Sequence, residues 1–359
     1  MLQLTLLALT AVASASGIPG LSSVENLITF GDSYTDEGRL QWFEDHNGTA
    51  PPPGTLIPTS NKTASGGYTW PHFVSQKLNS TTYNYAVSGA VCSNELIYRY
   101  LPSINGPYPS VIDYEVPAFL ADVENSNSTS GGEDAGLFPN RRADNTLYTL
   151  WVGTNDLGNG GYLLDKQRAG TTISDYVDCV WSALDGLYGG AGARHFVLFN
   201  QAPLDKSPLY AAPQHGGVGD SVYWTDKAAY NMTEVEQKML EYTTTVNTVY
   251  AYGAPFQLLV RARWPGASLT IFDVHRLLSD VYADPAAYLD PPANATGFYY
   301  YCPYPSSEGA CEGSEYPLSS FLWYDQLHPS SKTDEIIADE FVNLLSGDSP
   351  YGIYYDSGA

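Results

Sequence analysis

The chain has 359 residues and a hydrophobic content of 43%, enough for one large domain with insertions or for two smaller domains. Its formal net charge is -23, and so acidic a surface repels nucleic acid and anionic membranes, which argues against both as partners. A neutral, hydroxyl-rich substrate meets no such repulsion.

The N-terminal residues 1–16 have an apolar centre that is too short to span a bilayer, and small residues follow at 13–15. This pattern is typical of a secretory signal peptide cleaved near Ala15 or Ser16, with a buried N-terminal helix as the alternative. No later run is long and apolar enough for a membrane-spanning helix. We therefore expect a secreted protein whose mature part is 17–359.

Six sequons of the form Asn-x-Ser/Thr agree with secretion, since glycosylation of such sites marks exported proteins. We expect glycans on these residues, most of which lie in turn-rich stretches: Asn47, Asn61, Asn79, Asn127, Asn231 and Asn294.

The four cysteines, an even number, also agree with an oxidising compartment. Cys302 and Cys311 lie close together in a loop rich in Pro, Ser and Gly and can staple it, with Cys92 and Cys179 as the other pair. Three pairings are possible, and the sequence does not choose among them. The spacings typical of zinc sites are absent, so we expect no metal.

Along the chain, short apolar runs that predict strands alternate with segments of helical periodicity. In the first half we predict, in order, a strand over 26–30, a surface loop over 43–69, a helix over 70–78, a strand over 82–86, a helix over 111–123, a flexible loop over 124–134 and a strand over 146–152.

The second half continues this alternation. We predict a helix over 174–188 with Ser174 as its N-cap, a strand over 195–199 and a loop region over 201–230. The next helix opens with a capping box at 233–236, is interrupted at 253–255 and resumes to Arg263. A strand over 268–272, loops over 281–324 and a helix over 333–345 follow.

Such an alternation predicts an α/β fold with a parallel sheet covered by helices on both faces. We find no internal repeat and no interdomain linker, so we expect a single domain with long loop insertions over 17–359.

Three of the predicted strands end in similar turns, which read Gly31-Asp32-Ser33, Ser88-Gly89 and Gly153-Thr154-Asn155. Because the carboxyl ends of parallel strands meet at one edge of a sheet, where open α/β sheets bind ligands, these turns should converge. Each residue alone is better explained as a turn or capping residue. Their shared position is what indicates a site.

Ser33 is the candidate nucleophile, and such a serine needs a histidine base and a group that orients the base. His328 follows Asp325 by three positions and precedes Pro329, which disfavours helical geometry at His328. In such a loop Asp325 can reach the imidazole Nδ1 and stabilise the imidazolium that forms when Ser33 loses its proton. The remaining histidines are better explained as structural residues: His46, His72, His195, His215 and His275.

An acyl-transfer intermediate also needs donors aimed at its oxyanion. The backbone N–H groups of Ser33 and Gly89 and the side-chain amide of Asn155 are the candidates for this oxyanion hole.

Together these blocks resemble the GDSL esterase/lipase family, also called the SGNH hydrolases. The matching residues are Phe30 to Asp36, Gly89, Gly153 to Asp156, and Asp325 with His328. The resemblance implies Ser33 as nucleophile, His328 as base and Asp325 as its orienting acid, with oxyanion donors at Ser33, Gly89 and Asn155. It also implies a three-layer α/β/α sandwich with a flavodoxin-like sheet of five parallel strands, and no cofactor.

Within that family the chain looks most like the secreted fungal acetyl esterases of carbohydrate esterase family 16. This likeness implies an enzyme that removes acetyl groups from hemicellulose-derived oligosaccharides through an acyl-enzyme. We expect it to be a monomer. A secreted GDSL lipase or phospholipase is the alternative, with an acyl pocket built by the insertions at 43–69, 101–145 and 281–324. A non-catalytic glycan-binding protein that keeps the fold is an alternative of another class.

Overall fold

The computed structural model describes residues 17–128, 136–305 and 311–358, so the predicted signal peptide over 1–16 lies outside the described residues. The strands are β1 (Asn26–Gly31), β2 (Thr81–Asn84), β3 (Tyr100–Leu101), β4 (Gly106–Pro107), β5 (Thr146–Trp151), β6 (His195–Phe199), β7 (Ser268–Phe272), β8 (Asn294–Phe298), β9 (Tyr300–Tyr301), β10 (Glu312–Gly313), β11 (Phe321–Trp323) and β12 (Gly352–Asp356). The α-helices are α1 (Arg39–Asp45), α2 (Trp70–Leu78), α3 (Val116–Ser128), α4 (Thr154–Leu157), α5 (Ile173–Ala191), α6 (Met232–Pro255), α7 (Val274–Ala283) and α8 (Ser331–Ser346).

The central sheet has the strand order β12-β7-β6-β5-β1-β2. Strands β2, β1, β5, β6 and β7 run parallel to their neighbours, which confirms the predicted parallel strands and the α/β class. The five expected parallel strands are all present, and β12 adds a sixth, antiparallel edge strand beside β7 that the sequence does not predict. This strand is half-exposed and follows the last helix, where the alternation of strands and helices predicts nothing further.

Helices cover both faces of the sheet and complete the three-layer sandwich. Right-handed crossovers, the rule between parallel strands, place α2 on one face and α3, α5 and α6 on the other. Helix α8 packs on α2, and α3 and α6 pack on α5. On the first face, Trp70 and Phe341 contact Phe199 of β6, while on the second Phe119 packs edge-on against Phe30 of β1.

Burial of the central strands on both faces explains why they read as continuous apolar runs. Every residue of β1, β5, β6 and β7 is buried. A parallel sheet covered on both faces selects such runs, whereas a half-exposed sheet selects alternation. This is why the sequence predicts these strands well.

Two helix starts differ from the predicted ones. Helix α5 is capped by Thr172 together with Asp175 rather than by Ser174. Helix α6 is capped by Asn231, whose side chain accepts a hydrogen bond from the Thr233 N–H, so Thr233 is a helical residue and not the cap. In both cases the cap lies two residues earlier than predicted.

The predicted interruption at 253–255 is also wrong, since α6 runs on to Pro255 and leads into a π-helical turn at Phe256–Val260. A Cβ on Gly253 would lie 3.0 Å from the ring of Trp181, so this glycine allows close packing against α5 instead of ending the helix. Helix α7 was not predicted, although its buried residues Val274, Leu277, Leu278 and Val281 recur at helical spacing.

The cysteines form two disulfides, Cys92–Cys179 and Cys302–Cys311, the pairs considered above. The first joins the segment after β2 to α5, across a separation of 87 residues. The second joins the residue after β9 to the residue before β10. In the described ranges, no helix has the length and apolarity needed to cross a membrane.

The six sequon asparagines differ in accessibility. Five of them are exposed, and Asn294 alone is half-buried. The Asn294 side chain accepts hydrogen bonds from the backbone N–H groups of Thr296 and Gly297. The Asn294 amide is therefore engaged within the protein, whereas the side chains of Asn47, Asn61 and Asn79 are exposed to solvent.

Several buried carboxyl groups surround the end of β1, and burial disfavours their charged forms. Burial raises the pKa of Asp32 to about 6, that of Asp156 to about 7 and that of Glu37 to about 8. It raises the pKa values of Glu115 and Asp334 well above the usual range. The folded chain thus binds several protons that the unfolded chain releases.

We expect the free energy of unfolding to be largest in acid and to fall as the pH rises from about 4 to about 8. A carboxyl whose pKa is raised by folding stabilises the folded state below its unfolded pKa of about 4. That stabilisation is lost as the pH rises through the folded pKa. The Tm measured across this range should decline, and Glu37→Gln should flatten the decline. Glu241→Gln is the control, because it removes the same charge at an exposed residue, and it should leave the decline unchanged. A Tm of the parent protein that stays constant across this pH range would contradict the account.

Candidate active site

Strand β1 ends at a glycine that no other residue can replace. The φ of Gly31 is 147°, and a Cβ there would lie 2.1 Å from the carbonyl oxygen of Trp151. Only glycine permits β1 to approach β5 this closely. Ser33 follows two residues later, on the turn at the carboxyl end of the sheet.

Ser33, His328 and Asp325 lie together beyond that edge. The Oγ of Ser33 lies 2.8 Å from Nε2 of His328. The other ring nitrogen, Nδ1, lies 3.0 and 2.9 Å from the two carboxylate oxygens of Asp325. The three residues are between 5% and 8% exposed. This arrangement can pass a proton from the serine to the imidazole while a carboxylate holds the other side of the ring.

The loop that carries Asp325 and His328 is fixed by its own backbone. Oδ1 of Asp325 accepts the N–H groups of Leu327 and His328, each at 2.8 Å. Tyr34, next to Ser33, donates its hydroxyl to the Leu327 carbonyl at 2.7 Å. The turn after β1 and the loop before α8 are therefore joined directly.

Asp325 remains a carboxylate although it is buried. Burial by itself raises its pKa, but the nearby charge of His328 and the hydrogen bonds from His328 and Tyr223 outweigh this effect and lower the pKa. The carboxylate is thus maintained well into the acid range, where it can stabilise a protonated imidazole.

Tyr223 is the residue of this site that the sequence does not reveal. Its hydroxyl donates to Oδ2 of Asp325 at 2.6 Å, across 102 residues of sequence. Its ring centroid lies 5.6 Å from that of His328. Tyr223 belongs to the loop region at 201–230, where no motif or periodicity distinguishes it from the many other tyrosines.

The candidate oxyanion donors converge on the same place. In the described part of the chain, neither the Ser33 N–H nor the Gly89 N–H donates to a protein acceptor. The side-chain amide of Asn155 donates one hydrogen to the Ala90 carbonyl at 2.9 Å, and this bond orients the amide. The second amide hydrogen takes no part in that bond and can donate to a substrate. Ser33, Gly89 and Asn155 all line one cavity.

This cavity has a volume of about 260 Å³. Pockets for drug-sized ligands usually measure about 300–1,000 Å³, so it suits a small group. Besides the residues already named, its walls include Leu40, Ala64, Ser88, Arg99, Tyr108, Thr154, Gly158, Asn159, Gly160, Leu209, Tyr210 and Leu327. Within residues 17–128, 136–305 and 311–358, no group of three or more His, Cys, Asp or Glu side chains is arranged to hold a metal.

Carboxylates from both neighbouring turns hold the turn that contains Gly89. Asp36 accepts the Ser88 N–H at 2.8 Å, and Asp156 accepts the Cys92 N–H at 3.0 Å. Asp36 also accepts the N–H groups of Gly38 and Arg39, so it supports the start of α1. The bridging role of Asp156 is visible only in the fold.

Arg99 and Tyr108 cover Gly89 from the cavity side. A guanidinium N–H of Arg99 donates to the Gly89 carbonyl, and the guanidinium lies 4.8 Å from the centroid of the Tyr108 ring. A Cβ on Gly89 would lie 2.3 Å from Cε1 of that ring. The φ of Gly89 is 86°, a conformation that other residues rarely adopt.

Comparison with known proteins agrees with this geometry. The family model described as GDSL-like Lipase/Acylhydrolase matches residues 27–341. The chain belongs to this family. It is therefore a carboxylic ester hydrolase, and the predicted family is confirmed.

Individual proteins to which the chain is similar include two acetylesterases and one solved structure. An acetylesterase from Hypocrea jecorina is 44% identical over 330 residues, which cover 92% of this chain and 91% of that protein. An acetylesterase from Thermothelomyces thermophilus is 32% identical over 209 residues, 57% of this chain and 63% of that protein. Among solved structures, an acetyl xylan esterase from Geobacillus stearothermophilus aligns over 92% of this chain and 98% of its own, with 13% identity and a TM-score of 0.37, too loose a match to bear on function.

We expect Gly89→Ala to lower esterase activity at least about tenfold, because the new methyl group displaces either Tyr108 or the backbone N–H, and one misplaced oxyanion donor costs that much or more. Gly170→Ala is the matched control. Gly170 has a similar φ of 88°, but a Cβ there meets nothing within 4 Å. This variant should lose only the stability that a strained φ costs, and should retain activity. Equal activities of the two variants would contradict the proposed crowding.

Proposed function

We propose that this GDSL hydrolase is a secreted serine esterase that removes acetyl groups from hemicellulose-derived oligosaccharides. The observation that carries the proposal is the contact of 2.8 Å between Ser33 Oγ and His328 Nε2, with His328 Nδ1 on the Asp325 carboxylate. In this proposal Ser33 is the nucleophile, His328 the general base and acid, and Asp325 the orienting carboxylate.

In the first half-reaction, Ser33 Oγ attacks the carbonyl carbon of the ester while His328 Nε2 takes its proton. The imidazolium that results is stabilised by Asp325. The negative charge that develops on the carbonyl oxygen is accepted by the N–H groups of Ser33 and Gly89 and by the Asn155 amide. These donors are already held by the surrounding turns, so little reorganisation is needed as charge develops.

The tetrahedral intermediate then collapses. The bond between the carbonyl carbon and the sugar oxygen breaks, and His328 gives its proton to that oxygen, which leaves as a hydroxyl group. The acetyl group stays on Ser33. In the second half-reaction a water molecule gives its proton to His328 and attacks the acetyl carbon, which releases acetate and returns the proton to Ser33.

Two observations support acetyl as the acyl group. The cavity of about 260 Å³ is small, and the relatives at 44% and 32% identity are named acetylesterases. The sugar assignment is supported by the tyrosines in the cavity wall, Tyr108, Tyr210 and Tyr223, because flat amphipathic rings suit sugar faces. Sugars of this kind are neutral and meet no repulsion from a chain of net charge -23.

Secretion is supported by three features of the chain. Residues 1–16 read as a signal peptide, the sequon asparagines other than Asn294 are exposed, and all four cysteines are in disulfides. Disulfides persist in oxidising compartments and are rare in the cytosol. The proposed mature enzyme is a monomer that consists of one hydrolase domain over 17–359.

We expect Ser33→Ala and His328→Ala each to lower kcat by about 10⁴-fold or more, since each removes a member of a catalytic unit. Steady-state kinetics on p-nitrophenyl acetate measure this, with circular dichroism to verify folding. Ser182→Ala, at an exposed serine on α5, is the control and should match the parent. Activity within tenfold of the parent in either triad variant would refute the proposed roles.

The substrate assignment predicts a steep dependence on acyl length. We expect kcat/KM to fall at least about tenfold from acetate to butyrate esters, because two extra methylenes must be placed in a small cavity. Acetylated xylo-oligosaccharides should release acetate at rates comparable to the best aryl acetate. A preference for butyrate or longer esters would instead favour the lipase or phospholipase alternative.

A further inference from the structure

Tyr223 contacts the site in a way that the proposed mechanism does not yet use. Its hydroxyl lies 2.6 Å from Oδ2 of Asp325, the same oxygen that lies 2.9 Å from His328 Nδ1. Among the described residues, Tyr223 and His328 are the side chains that donate to this carboxylate. One carboxylate oxygen is thus shared between the base and a phenol.

The position of Tyr223 is fixed by a tight turn. Ser221 and Trp224 exchange backbone hydrogen bonds at 3.0 and 3.1 Å, and the Tyr223 N–H donates to the Ser221 hydroxyl. Trp224 is 2% exposed and packs against the rings of Tyr210 and Tyr230. A buried tryptophan therefore anchors the turn that presents the tyrosine.

A second anchor comes from the oxyanion side of the cavity. The side-chain amide of Asn159 donates to the Tyr223 carbonyl at 2.9 Å, and its oxygen accepts the hydroxyl of Tyr210 at 3.1 Å. Asn159 follows the candidate oxyanion residue Asn155 by four positions. The segment after β5 thus holds both Asn155 and, through Asn159, the tyrosine that contacts Asp325.

The phenol of Tyr223 keeps its proton, and so remains a donor, in neutral and acidic solution. Desolvation, followed by the negative charge of Asp325, raises its pKa well above the usual value. The other titratable groups around the Asp325–His328 pair are Asp32 and Tyr34 after β1 and Tyr324 beside Asp325, and Arg99 is the one Arg or Lys that lines the cavity in the described ranges. None of them donates to Asp325, so Tyr223 is the neutral partner of this carboxylate.

We propose that Tyr223 is a positioning residue for ester hydrolysis: its hydroxyl holds the Asp325 carboxylate against His328 and withdraws charge from Oδ2, which weakens the attraction between that carboxylate and the imidazolium. This inference rests on the triad proposed above. A carboxylate that shares its charge with a phenol attracts the imidazolium proton less strongly, and the geometry of the base is kept at the same time.

Tyr223→Phe tests this role, because it removes the hydroxyl and keeps the ring that lines the cavity. We expect kcat to fall about tenfold, the loss typical of one hydrogen bond to a charged group. KM should change less than about twofold, since the substrate does not contact the lost bond. The acid limb of the kcat/KM profile should move to higher pH, because Asp325 then holds the imidazolium proton more strongly.

Two further variants show whether the effect passes through Asp325. In an Asp325→Asn background, Tyr223→Phe should move the acid limb little further, since the carboxylate charge on which the phenol acts is already absent. Asn159→Ala loosens the turn without altering the phenol and should shift the acid limb in the same direction by a smaller amount. Tyr252→Phe, at a residue that is 77% exposed on α6, is the control for loss of a phenol hydroxyl.

The outcomes separate the inference from the triad on which it rests. An unchanged acid limb in Tyr223→Phe, or full additivity with Asp325→Asn, would overturn the role of Tyr223 even if kcat falls, because a purely packing role lowers activity without moving the profile. Retained activity in Ser33→Ala would instead overturn the triad. A Tyr223→Phe variant with a Tm near that of the parent excludes misfolding as the cause.

Discussion

Buried carboxyl groups that accept hydrogen bonds from backbone N–H groups hold together the edge of the sheet that carries Ser33. Glu115 accepts the Gly31 N–H at 2.9 Å, just before Ser33. Asp36 and Asp156 accept the N–H groups of Ser88 and Cys92, on either side of Gly89. Each bond ties the end of one strand to a segment that follows another, so Ser33 and the candidate oxyanion donors are placed by the same contacts.

The same burial makes the folded chain more stable in acidic solution than at neutral pH. Glu115 and Asp156 have raised pKa values, so the folded chain favours solutions in which they carry protons. Asp325 behaves in the opposite way: partners lower its pKa, and it stays ionised where its buried neighbours are neutral. In the proposed mechanism this contrast leaves one carboxylate facing His328. In the role proposed for it, Tyr223 adjusts how strongly that carboxylate attracts the imidazolium.

The sequence predicts the parts of the molecule that depend on local patterns. Buried strands such as β1 read as apolar runs, and the turn at Gly31 to Ser33 follows from the strand that it ends. The convergence of Ser33 with Gly89 and Asn155 follows from the geometry of parallel sheets. The sequence does not predict contacts made by loops. Tyr223 reaches Asp325 only because Trp224 anchors a turn far away in the chain, and nothing local marks that tyrosine among 29. The edge strand β12 is missed for a related reason, since a short, half-exposed strand leaves no continuous apolar run.

The central claim is that Ser33 is the residue that carries the acyl group, and its covalent trapping tests this most directly. The enzyme is treated with an alkyl fluorophosphonate, which forms a stable adduct with an activated serine, and the modified residue is located by mass spectrometry of the digested protein. We predict one adduct per chain, on Ser33, with loss of esterase activity in proportion to labelling. An adduct on a different residue, or complete inactivation with Ser33 unmodified, would contradict the account.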